Sequence, residues 1–252
     1  MAAAVRTSVW LDGKTTRSRK TSQPATGLDR QKITEATVRL LDAEGAAKFS
    51  MRRLAADLGV TAMSVYWYVD TKDDLLELAL DQAMGEVVLP DESVDDWRTH
   101  VRQLAVNYRK LLVTHPWVSP LVGEFLNVGP NAQLFSTAVM NVMKASGLSP
   151  RHQAGGLAAV FQFVYGFGTV EGHFLDRCAR AGMTQDEYFA RAMSAVSLNP
   201  GLDAMMEQSR DLMEARGGET VEEMRDRDFD FALEVLFAGI EAMGGRPGPS
   251  TP

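Results

Sequence analysis

The sequence of 252 residues lacks several features that would indicate other kinds of protein. Its single cysteine, Cys178, excludes an internal disulfide and gives no sign of an oxidising compartment. No run of 18 apolar residues is present, so no transmembrane helix is predicted. The N-terminus is polar and basic instead of carrying the apolar core of a signal peptide. These absences predict a soluble, cytoplasmic protein without a membrane partner.

The motifs of common enzyme classes are also missing. The chain contains no HExxH, GxSxG, P-loop or CxxC pattern. The glycines of residues 166–172 lie inside a helical pattern without a preceding strand, so they do not indicate a nucleotide-binding loop. Alternating strand patterns, internal repeats and a βαβ rhythm are absent too. The sequence therefore predicts an all-α protein that is not an enzyme.

Charge is distributed unevenly along the chain. Residues 1–72 carry 12 lysines and arginines against 7 acidic residues, whereas the remainder carries 14 against 26. A basic N-terminal third favours a polyanionic partner such as nucleic acid. However, six of those 12 cations lie in residues 1–30, so a solvated basic tail explains the charge equally well. Residues 1–27, rich in Thr, Ser, Lys and Arg, are predicted to be a flexible arm.

Apolar residues recur at helical spacing from Ile33 onward, and the first helix is predicted to end at Gly45. Short helices follow over about 50–58 and 61–68, and the capping-box pattern that starts at Thr71 opens a fourth helix. Further helices are predicted over the apolar stripe 97–112, over 131–146, from Ser149-Pro150 to about Leu175, and after the capping-box patterns at Thr184 and Thr220.

The most informative stretch is Met51–Tyr68, MRRLAADLGVTAMSVYWY, which has the pattern of a helix-turn-helix. Two short helices that cross steeply need apolar side chains at their contact, a small residue at the closest approach and a glycine in the turn. The residues that meet these needs are Leu54, Leu58, Val60, Val65, Ala55 and Gly59. An ordinary helical hairpin also uses such residues. The basic side chains of Arg52, Arg53 and Lys72 favour the DNA-binding interpretation.

Residues 30–84 resemble the TetR family of repressors. The stretch LGVTAMSVYWYVDTKDDLL is typical of the tetracycline-repressor branch, and the resemblance continues more loosely through LLVTHPWVSPLV and the Gly129-Pro130 turn. It implies a three-helix helix-turn-helix domain followed by a larger helical domain that binds ligand and dimerises. The expected division is an arm over 1–27, a DNA-binding domain over 28–75, a ligand-binding and dimerisation domain over 76–245 and a flexible tail over 246–252.

The family pattern also implies which residues contact DNA. Base contacts are implied for Arg52, Ala62, Met63 and Tyr66. Phosphate contacts are implied for Ser50, Ser64, Trp67, Tyr68 and Lys72. The guanidinium of Arg52 matches the O6 and N7 atoms of guanine, whereas Ala62 and Met63 offer only apolar contact, so no operator sequence carries over from the family. The basic arm either enters a minor groove or makes no contact with DNA, and both interpretations stay open.

A homodimer is predicted, because one such unit reads only a few base pairs and two related by symmetry read a palindromic operator. The helix near 150–175 is apolar nearly all round and carries glycines that allow close approach between helices. The helix near 220–243 offers a second apolar face. The family forms a four-helix dimer bundle from its last two long helices. The alternative is that both helices belong to the core of one chain.

A ligand pocket between the central helices is implied by the family and by their aromatic content. Its expected residues are Trp97, His100, Leu104, Tyr108, Trp117, Phe125, Asn141, Phe161, Tyr165 and Glu171. Aromatic residues at helical spacing more often form an ordinary core. A pocket of this composition suits a bulky, mostly apolar inducer, whose binding would move the fourth helix, residues 72–84, and release the operator.

No metal or other cofactor is predicted. The tetracycline repressor holds its magnesium partly through a histidine before the Gly-Pro turn, whereas this chain has Phe125 and Leu126, which cannot bind a metal. A magnesium-bound tetracycline is therefore rejected as the inducer. His115, before Pro116, is expected to be a group at the end of a helix. A helical interaction protein without a role on DNA remains as the other alternative.

Overall fold

The computed structural model describes residues 7–11, 28–91 and 96–244. Within those ranges the chain forms twelve α-helices and no strand, which confirms the all-α prediction. The chain divides into two compact units, Met1–Ala145 and Ser146–Pro252. In the same ranges no helix combines the length and the apolar character needed to cross a bilayer. The predicted tail over 246–252 and most of the predicted arm lie outside the described residues, and the functional boundary at residue 75 stays a prediction.

The first unit begins with the predicted helix-turn-helix and continues through three further helices. Its helices are α1 (Arg30–Glu44), α2 (Met51–Asp57), α3 (Ala62–Tyr66), α4 (Lys72–Met84), α5 (Trp97–Thr114), α6 (Val118–Glu124) and α7 (Pro130–Ala145). Helix α4 packs against α1, α6 and α7, so it connects the DNA-binding pattern with the rest of the unit. Its central position makes the contacts of α4 the main determinants of how this unit is held together.

Short polar side chains begin the early helices, as their sequence predicts. Asp29 and Ser50 accept hydrogen bonds from backbone N–H groups in the first turns of α1 and α2. Thr71 caps α4 in a complete capping box, because Asp74 Oδ2 accepts from the Thr71 N–H in return. Such a cap is worth about 1 kcal/mol. The predicted start of α4 is therefore confirmed.

Buried carboxylates on α4 bind other segments of the first unit. Asp81, 5% exposed, accepts hydrogen bonds from Ala132 N–H to Oδ1 at 3.0 Å and from Asn131 N–H to Oδ2 at 3.3 Å. Burial raises the pKa of the Asp81 carboxyl, although these bonds oppose the shift. Asp81 thus caps the N-terminus of α7 from a different helix. Gly129 is buried beside it, because a Cβ atom there would come within 2.8 Å of Asp81 Cβ.

His115 ends α5 and joins three parts of the first unit. Its Nδ1 lies 2.6 Å from Asp42 Oδ1 on α1, and its Nε2 lies 3.0 Å from Glu86 Oε2 just beyond α4. Trp117 Nε1 donates to the same Asp42 oxygen at 2.6 Å. His115 is an end-of-helix group, as predicted, because its backbone N–H ends α5. Its ring has a further role that the sequence did not predict, since it bonds α1 to the segment after α4.

The bonds of His115 predict how stability depends on pH. Burial lowers the pKa of its imidazole, but the bonds and charges of Asp42 and Glu86 outweigh burial and raise it above 6.5. The protonated ring therefore stabilises the folded chain fully below about pH 6.5, and this contribution is lost as the pH rises through the raised folded pKa. The free energy of unfolding of the wild type should therefore decline over this pH range. We expect the His115→Gln variant to lack the part of that decline that comes from His115.

The measurement is urea unfolding followed by tryptophan fluorescence, since all four tryptophans lie in residues 1–145. The other three histidines titrate in both proteins, so the difference between wild type and His115→Gln isolates His115. A difference that is constant across pH 6 to 9 would contradict the assignment.

Ser8 and Val9 are packed against α4, which differs from the flexible arm predicted over 1–27. Ser8 and Val9 are 0% and 2% exposed. Ser8 Oγ donates to Glu77 Oε2 on α4 at 2.6 Å, and Val9 N–H donates to the same oxygen at 3.0 Å. The sequence concealed this contact because a single buried turn has no helical or strand period.

The second unit is built on two long helices with shorter helices between them. Its helices are α8 (Pro150–Ala181), α9 (Gln185–Ser197), α10 (Pro200–Gln208), α11 (Arg210–Arg216) and α12 (Val221–Gly244). Helix α8 extends past its predicted end near Leu175, because Gly182 with φ +65° is the residue that ends it. The capping box at Thr184 is confirmed. At Thr220 only half of the box forms, since the Glu223 carboxylate accepts from Glu219 N–H instead.

Aromatic rings form the centre of the second unit. The rings of Phe163 and Phe167 on α8 lie 5.5 and 5.2 Å from that of Phe229 on α12, which is 1% exposed. Leu233 and Phe237 continue the buried face of α12. Helices α8 and α12 thus pack against each other through one face each, which leaves their other faces exposed in the single chain.

Candidate nucleic-acid interface and ligand-binding residues

The turn between α2 and α3 has the geometry that its sequence predicts. Gly59 adopts φ +66°, and Val60 N–H donates to Ala55 O at 2.9 Å across the turn. Leu54 and Val65 are fully buried. Leu58 and Val60, predicted to be contact residues as well, are half-buried. Helix α2 therefore packs against α1 and α3, and the exposed faces of α2 and α3 remain available for a partner.

The exposed face of α2 and α3 carries most of the residues with an implied DNA contact. Met63, Trp67 and Tyr66 are 70%, 45% and 39% exposed, a high value for large apolar and aromatic side chains. Arg52 is exposed on α2, and Ala62 is half-buried at the start of α3. Arg52 and the exposed residues of α3 thus lie on two helices that pack against each other. Their roles on DNA stay predictions.

The two adjacent arginines of α2 differ in what they bind. Arg53 Nη2 lies 2.7 Å from Glu44 Oε1, and its Nη1 lies 3.9 Å from Asp57 Oδ1. The bond to Glu44 raises the pKa of Arg53 further. Arg52 makes no side-chain hydrogen bond or ion pair with any residue of the ranges 7–11, 28–91 and 96–244. Of these two arginines, Arg52 is the one whose guanidinium is uncommitted.

The residues with an implied phosphate contact differ in whether their polar groups are already bonded within the chain. Ser50 and Ser64 are engaged locally, since Ser50 Oγ caps α2 and Ser64 Oγ lies 2.9 Å from Thr61 Oγ1. Lys72 Nζ lies 5.7 Å from the centre of the Phe49 ring at the start of α4. The Tyr68 hydroxyl is buried without a hydrogen-bond partner in the described part of the chain, so it does not face the exposed surface. Its carbonyl instead accepts from Arg30 Nη2 at 3.2 Å.

Sequence reasoning missed that Thr61 caps α3 by accepting a hydrogen bond from Ser64 N–H. A threonine directly before a short helix is the signal that predicts this role. It also missed the pairing of Arg53 with Glu44, because nine residues and a turn separate them and no helical spacing relates the two.

The ligand-pocket residues predicted in the first unit lie mostly in its interior. Leu104, Trp117 and Tyr108 are 0%, 4% and 7% exposed, and the Tyr108 ring lies 5.4 Å from that of Phe135 on α7. Trp97 and Phe125 are half-buried. Asn141 is exposed on α7. The indole N–H of Trp117 is already bonded to Asp42, so that group serves the fold.

His100 stands apart within this set. It is 9% exposed, and its Nε2 atom is buried without a hydrogen-bond partner in the described residues. A buried polar atom without a partner is costly, at about 1–3 kcal/mol, and usually has water, an ion or a ligand beside it. On α5 it shares a face with Leu104 and Tyr108, at the helical spacing of four and eight residues. This face combines apolar surface with one polar group available for a bond.

The second unit contains a cavity of about 470 Å³. Its lining is Gln162, Phe163, Gly166, Phe167, Val170, Glu171, Arg216 and Arg225. Of the pocket residues predicted in this unit, Glu171 lines it, whereas Phe161 and Tyr165 are half-buried and do not.

Both arginines of the cavity bind neighbouring side chains. Arg216 Nε donates to Asp228 Oδ2 at 2.6 Å, and Arg225 Nη1 donates to Gln185 Oε1 at 2.6 Å. Arg225 also lies 4.3 Å above the ring of Phe174. Since these cations are engaged and the rings of Phe163 and Phe167 line the floor, the cavity is mainly apolar in character.

No group of three or more His, Cys, Asp or Glu side chains is arranged to hold a metal ion in the described residues. Phe125 and Leu126 occupy the stretch before Gly129, and Leu126 is 51% exposed. The residues present therefore do not suit a resident metal at this position.

Comparison with known proteins relates both parts of the chain to one family. The family model described as "Bacterial regulatory proteins, tetR family" matches residues 33–79, and that described as "Tetracyclin repressor-like, C-terminal domain" matches residues 89–244. An HTH-type transcriptional regulator of Saccharopolyspora erythraea is 39% identical over 164 residues, which are 65% of this chain and 67% of that protein. The repressor DrrR1 of Streptomyces coeruleorubidus is 28% identical over 97% of this chain and 87% of its own length.

A solved structure supports the same relationship. The TetR family protein ActR of Streptomyces coelicolor, in complex with actinorhodin, superposes with a TM-score of 0.65 and 26% identity. The match covers 87% of this chain and 99% of that one. The likeness thus spans both units.

Proposed function

The chain belongs to the TetR family of bacterial regulatory proteins, and on that premise we propose that it is a repressor that binds a palindromic operator as a homodimer and is released by a bulky, mostly apolar molecule. Like its relatives, it is a DNA-binding transcriptional regulator and not an enzyme. A DNA target implies that it acts in the cytoplasm. The finer statements rest on particular residues.

The observation that carries the DNA-binding proposal is the exposed face of α2 and α3. Arg52 is uncommitted there, beside the exposed Met63 and Tyr66. Its guanidinium can bond O6 and N7 of a guanine, while Ala62 and Met63 contact apolar base edges such as a thymine methyl. Ser50, Ser64, Trp67 and Lys72 surround this face and would hold the phosphate backbone, which fixes the register. For Tyr68 we propose a supporting role through its carbonyl, since its hydroxyl is buried.

The experiment that tests this proposal is selection of duplexes from a random pool, followed by mobility-shift assays over a range of salt. A repressor of this kind selects a palindrome and binds it at least about a thousandfold more tightly than unrelated DNA, with affinity that falls steeply as salt rises. A helical interaction protein without a role on DNA would select nothing. Absence of any enriched palindrome at low salt would therefore reject the proposal.

The exposed faces of α8 and α12 support the homodimer. On α12, Phe231, Val235 and Met243 are 72%, 55% and 57% exposed, and they lie with Gly239 at a spacing of four residues. On α8, Gly155 and Gly166 have open space where a Cβ atom would stand. One apolar stripe and one surface of small residues suit close packing against the same faces of a second copy, as in an isologous interface.

Val235→Glu should convert the dimer to a monomer. An isologous interface contains this residue twice, so two carboxylates would be buried and the dissociation constant should rise roughly a hundredfold or more. Since Val235 is exposed in the single chain, folding should be unaffected. The measurement is sedimentation equilibrium. Val88→Glu is the matched control, because it makes the same change at a residue of the first unit that is 63% exposed. A Val235→Glu protein that stays dimeric would contradict this interface.

The proposed inducer is apolar because the candidate binding surfaces are. His100 Nε2 would bond a hydroxyl or carbonyl of the ligand, while Leu104 and Tyr108 offer apolar contact. The cavity lined by Phe163, Phe167 and Glu171 offers the same combination in the second unit. ActR, a relative of similar fold, is described in complex with actinorhodin. We do not propose a magnesium-bound tetracycline, because Phe125 and Leu126 cannot bind the metal. Release of DNA requires that the ligand favour a different position of α4.

A further inference from the structure

A short N-terminal segment packs against α4 although it lies outside both matched stretches, 33–79 and 89–244. We propose that Ser8–Leu11, which we name the N-terminal clamp, positions α4 for DNA binding. The proposal rests on the DNA-binding function proposed above. It assigns a role on DNA to residues that need not touch it, which makes Ser8 and Val9 positioning residues.

The clamp is a closed turn with defined internal bonds. Leu11 N–H donates to Ser8 O at 3.2 Å, and Trp10 N–H donates to Ser8 Oγ at 3.3 Å. These bonds orient Ser8 so that its hydroxyl and the N–H of Val9 both point at one oxygen of Glu77, at 2.6 and 3.0 Å. Two donors on a single carboxylate oxygen define the placement of the turn along α4 more tightly than apolar contact alone would.

Burial gives this contact its strength. Glu77 is 2% exposed, and a carboxylate so deeply buried is tolerated only when hydrogen bonds replace its hydration. The clamp supplies two of those bonds, both charge-assisted, and buries Val9 to 2% exposure. If the clamp left α4, Glu77 would lose both bonds and Val9 would lose its burial, so the contacts that hold this part of α4 in place would be gone. The position of α4 is therefore coupled to the clamp.

The clamp acts on the first half of α4, the half that begins at Lys72. Glu77 follows Lys72, the first residue of α4, by five residues, or about 7.5 Å along the helix. The other polar joints lie further along the chain: the buried Asp81 caps α7, and the exposed Glu86, beyond the helix, bonds His115. Of these three joints, the clamp is the nearest to Lys72. It therefore resists displacement of the DNA-proximal end of α4, on which a phosphate contact from Lys72 depends.

The test compares Val9→Asp with Leu11→Asp in the full-length protein. Both changes add one negative charge to the same segment, so any general effect of charge on DNA affinity is matched. Val9 is 2% exposed beside the Glu77 carboxylate, whereas Leu11 is 60% exposed. The two readouts are the dissociation constant for the duplex selected by the wild type and the hydrogen-exchange rates of the backbone amides of α4, which report local opening.

We expect Val9→Asp to weaken binding to the selected duplex about tenfold and to speed exchange in the first half of α4, a coupling within the usual range for linked sites. Leu11→Asp should match the wild type in both readouts. Equal losses for the two variants, or a Val9→Asp protein whose α4 exchange and affinity match the wild type, would overturn the proposal.

If Val9→Asp does not fold, Ser8→Ala provides the same test in milder form. It removes the hydroxyl donor without adding charge, and a fewfold loss of affinity with faster α4 exchange is expected. If both the affinity and the exchange rates of α4 stay unchanged, the proposed role of the clamp is overturned. If the wild type selects no duplex, the DNA-binding proposal fails, but the exchange of α4 still decides whether Ser8–Leu11 holds that helix.

Discussion

Replacing Gly129 by alanine should destabilise the first unit by about 3 kcal/mol, the largest stability effect that we expect from a single added methyl group. The new Cβ would come within 2.8 Å of Asp81 Cβ and closer still to the Asp81 carboxylate. Neither atom can retreat cheaply, because Cβ is fixed to the backbone of α4 and the carboxylate bonds Asn131 and Ala132. The substitution therefore adds a steric clash and also weakens the cap of α7.

Urea unfolding followed by tryptophan fluorescence measures this change, because the tryptophans all lie in residues 1–145. Gly123→Ala is the matched control. Gly123 lies in α6, six residues earlier, and no atom lies within 4 Å of the place where its Cβ would stand. Alanine there should be neutral or stabilise the unit by up to about 1 kcal/mol, since it favours the helix. If the two variants unfold at the same urea concentration, Gly129 is not held by Asp81.

The contrast between these two glycines shows what a sequence can reveal. Periodic apolar residues and short polar caps predict α1 to α4 and the turn at Gly59, because such signals are local and repeat at the helical spacing. That Gly129 is packed against Asp81 depends on two positions 48 residues apart, one before α7 and one on α4, and no local pattern encodes it. The same holds for Asp42 with His115. Long-range pairs of one carboxylate and one donor leave no period in the sequence.

The N-terminal clamp illustrates a second reason. Its three apolar residues, Val9, Trp10 and Leu11, are too few to show a helical or strand period, and only the burial of Ser8 and Val9 beside Glu77 reveals the contact. Three acidic residues on α4, Asp74, Glu77 and Asp81, are buried. A sequence argument assigns acidic residues to the exposed face of a helix, so it predicts neither their burial nor the segments that bind them.

The ligand-binding residues show how far resemblance extends. Aromatic residues on α5 and α8 were expected to line a pocket, but core packing and pocket lining require the same side chains at the same spacing. Trp117 bonds Asp42, which is a structural role. His100 is distinguished only by its orphaned Nε2 atom, a property of its surroundings rather than of its position in the sequence.

Arg52→Ala should weaken operator binding by about 1–3 kcal/mol, or roughly five- to 150-fold, while binding to unrelated DNA falls much less. Arg52 is exposed and makes no ion pair within the described residues, so its removal should leave the fold unchanged. Selection with the variant should show relaxed preference at one base pair in each half-site.

Lys72→Ala should instead weaken binding to all sequences alike and reduce the salt slope by about one unit.

Arg53→Ala is the control for Arg52→Ala, because it removes the same charge from the adjacent position of α2. Arg53 is committed to Glu44 at 2.7 Å, and an exposed pair of this kind contributes little to stability. We therefore expect a small loss of affinity on all DNA and no change in base preference. The two variants together separate charge from base recognition: equal losses on operator and unrelated DNA for both would show that Arg52 contacts the backbone and that the bases are read by α3 alone.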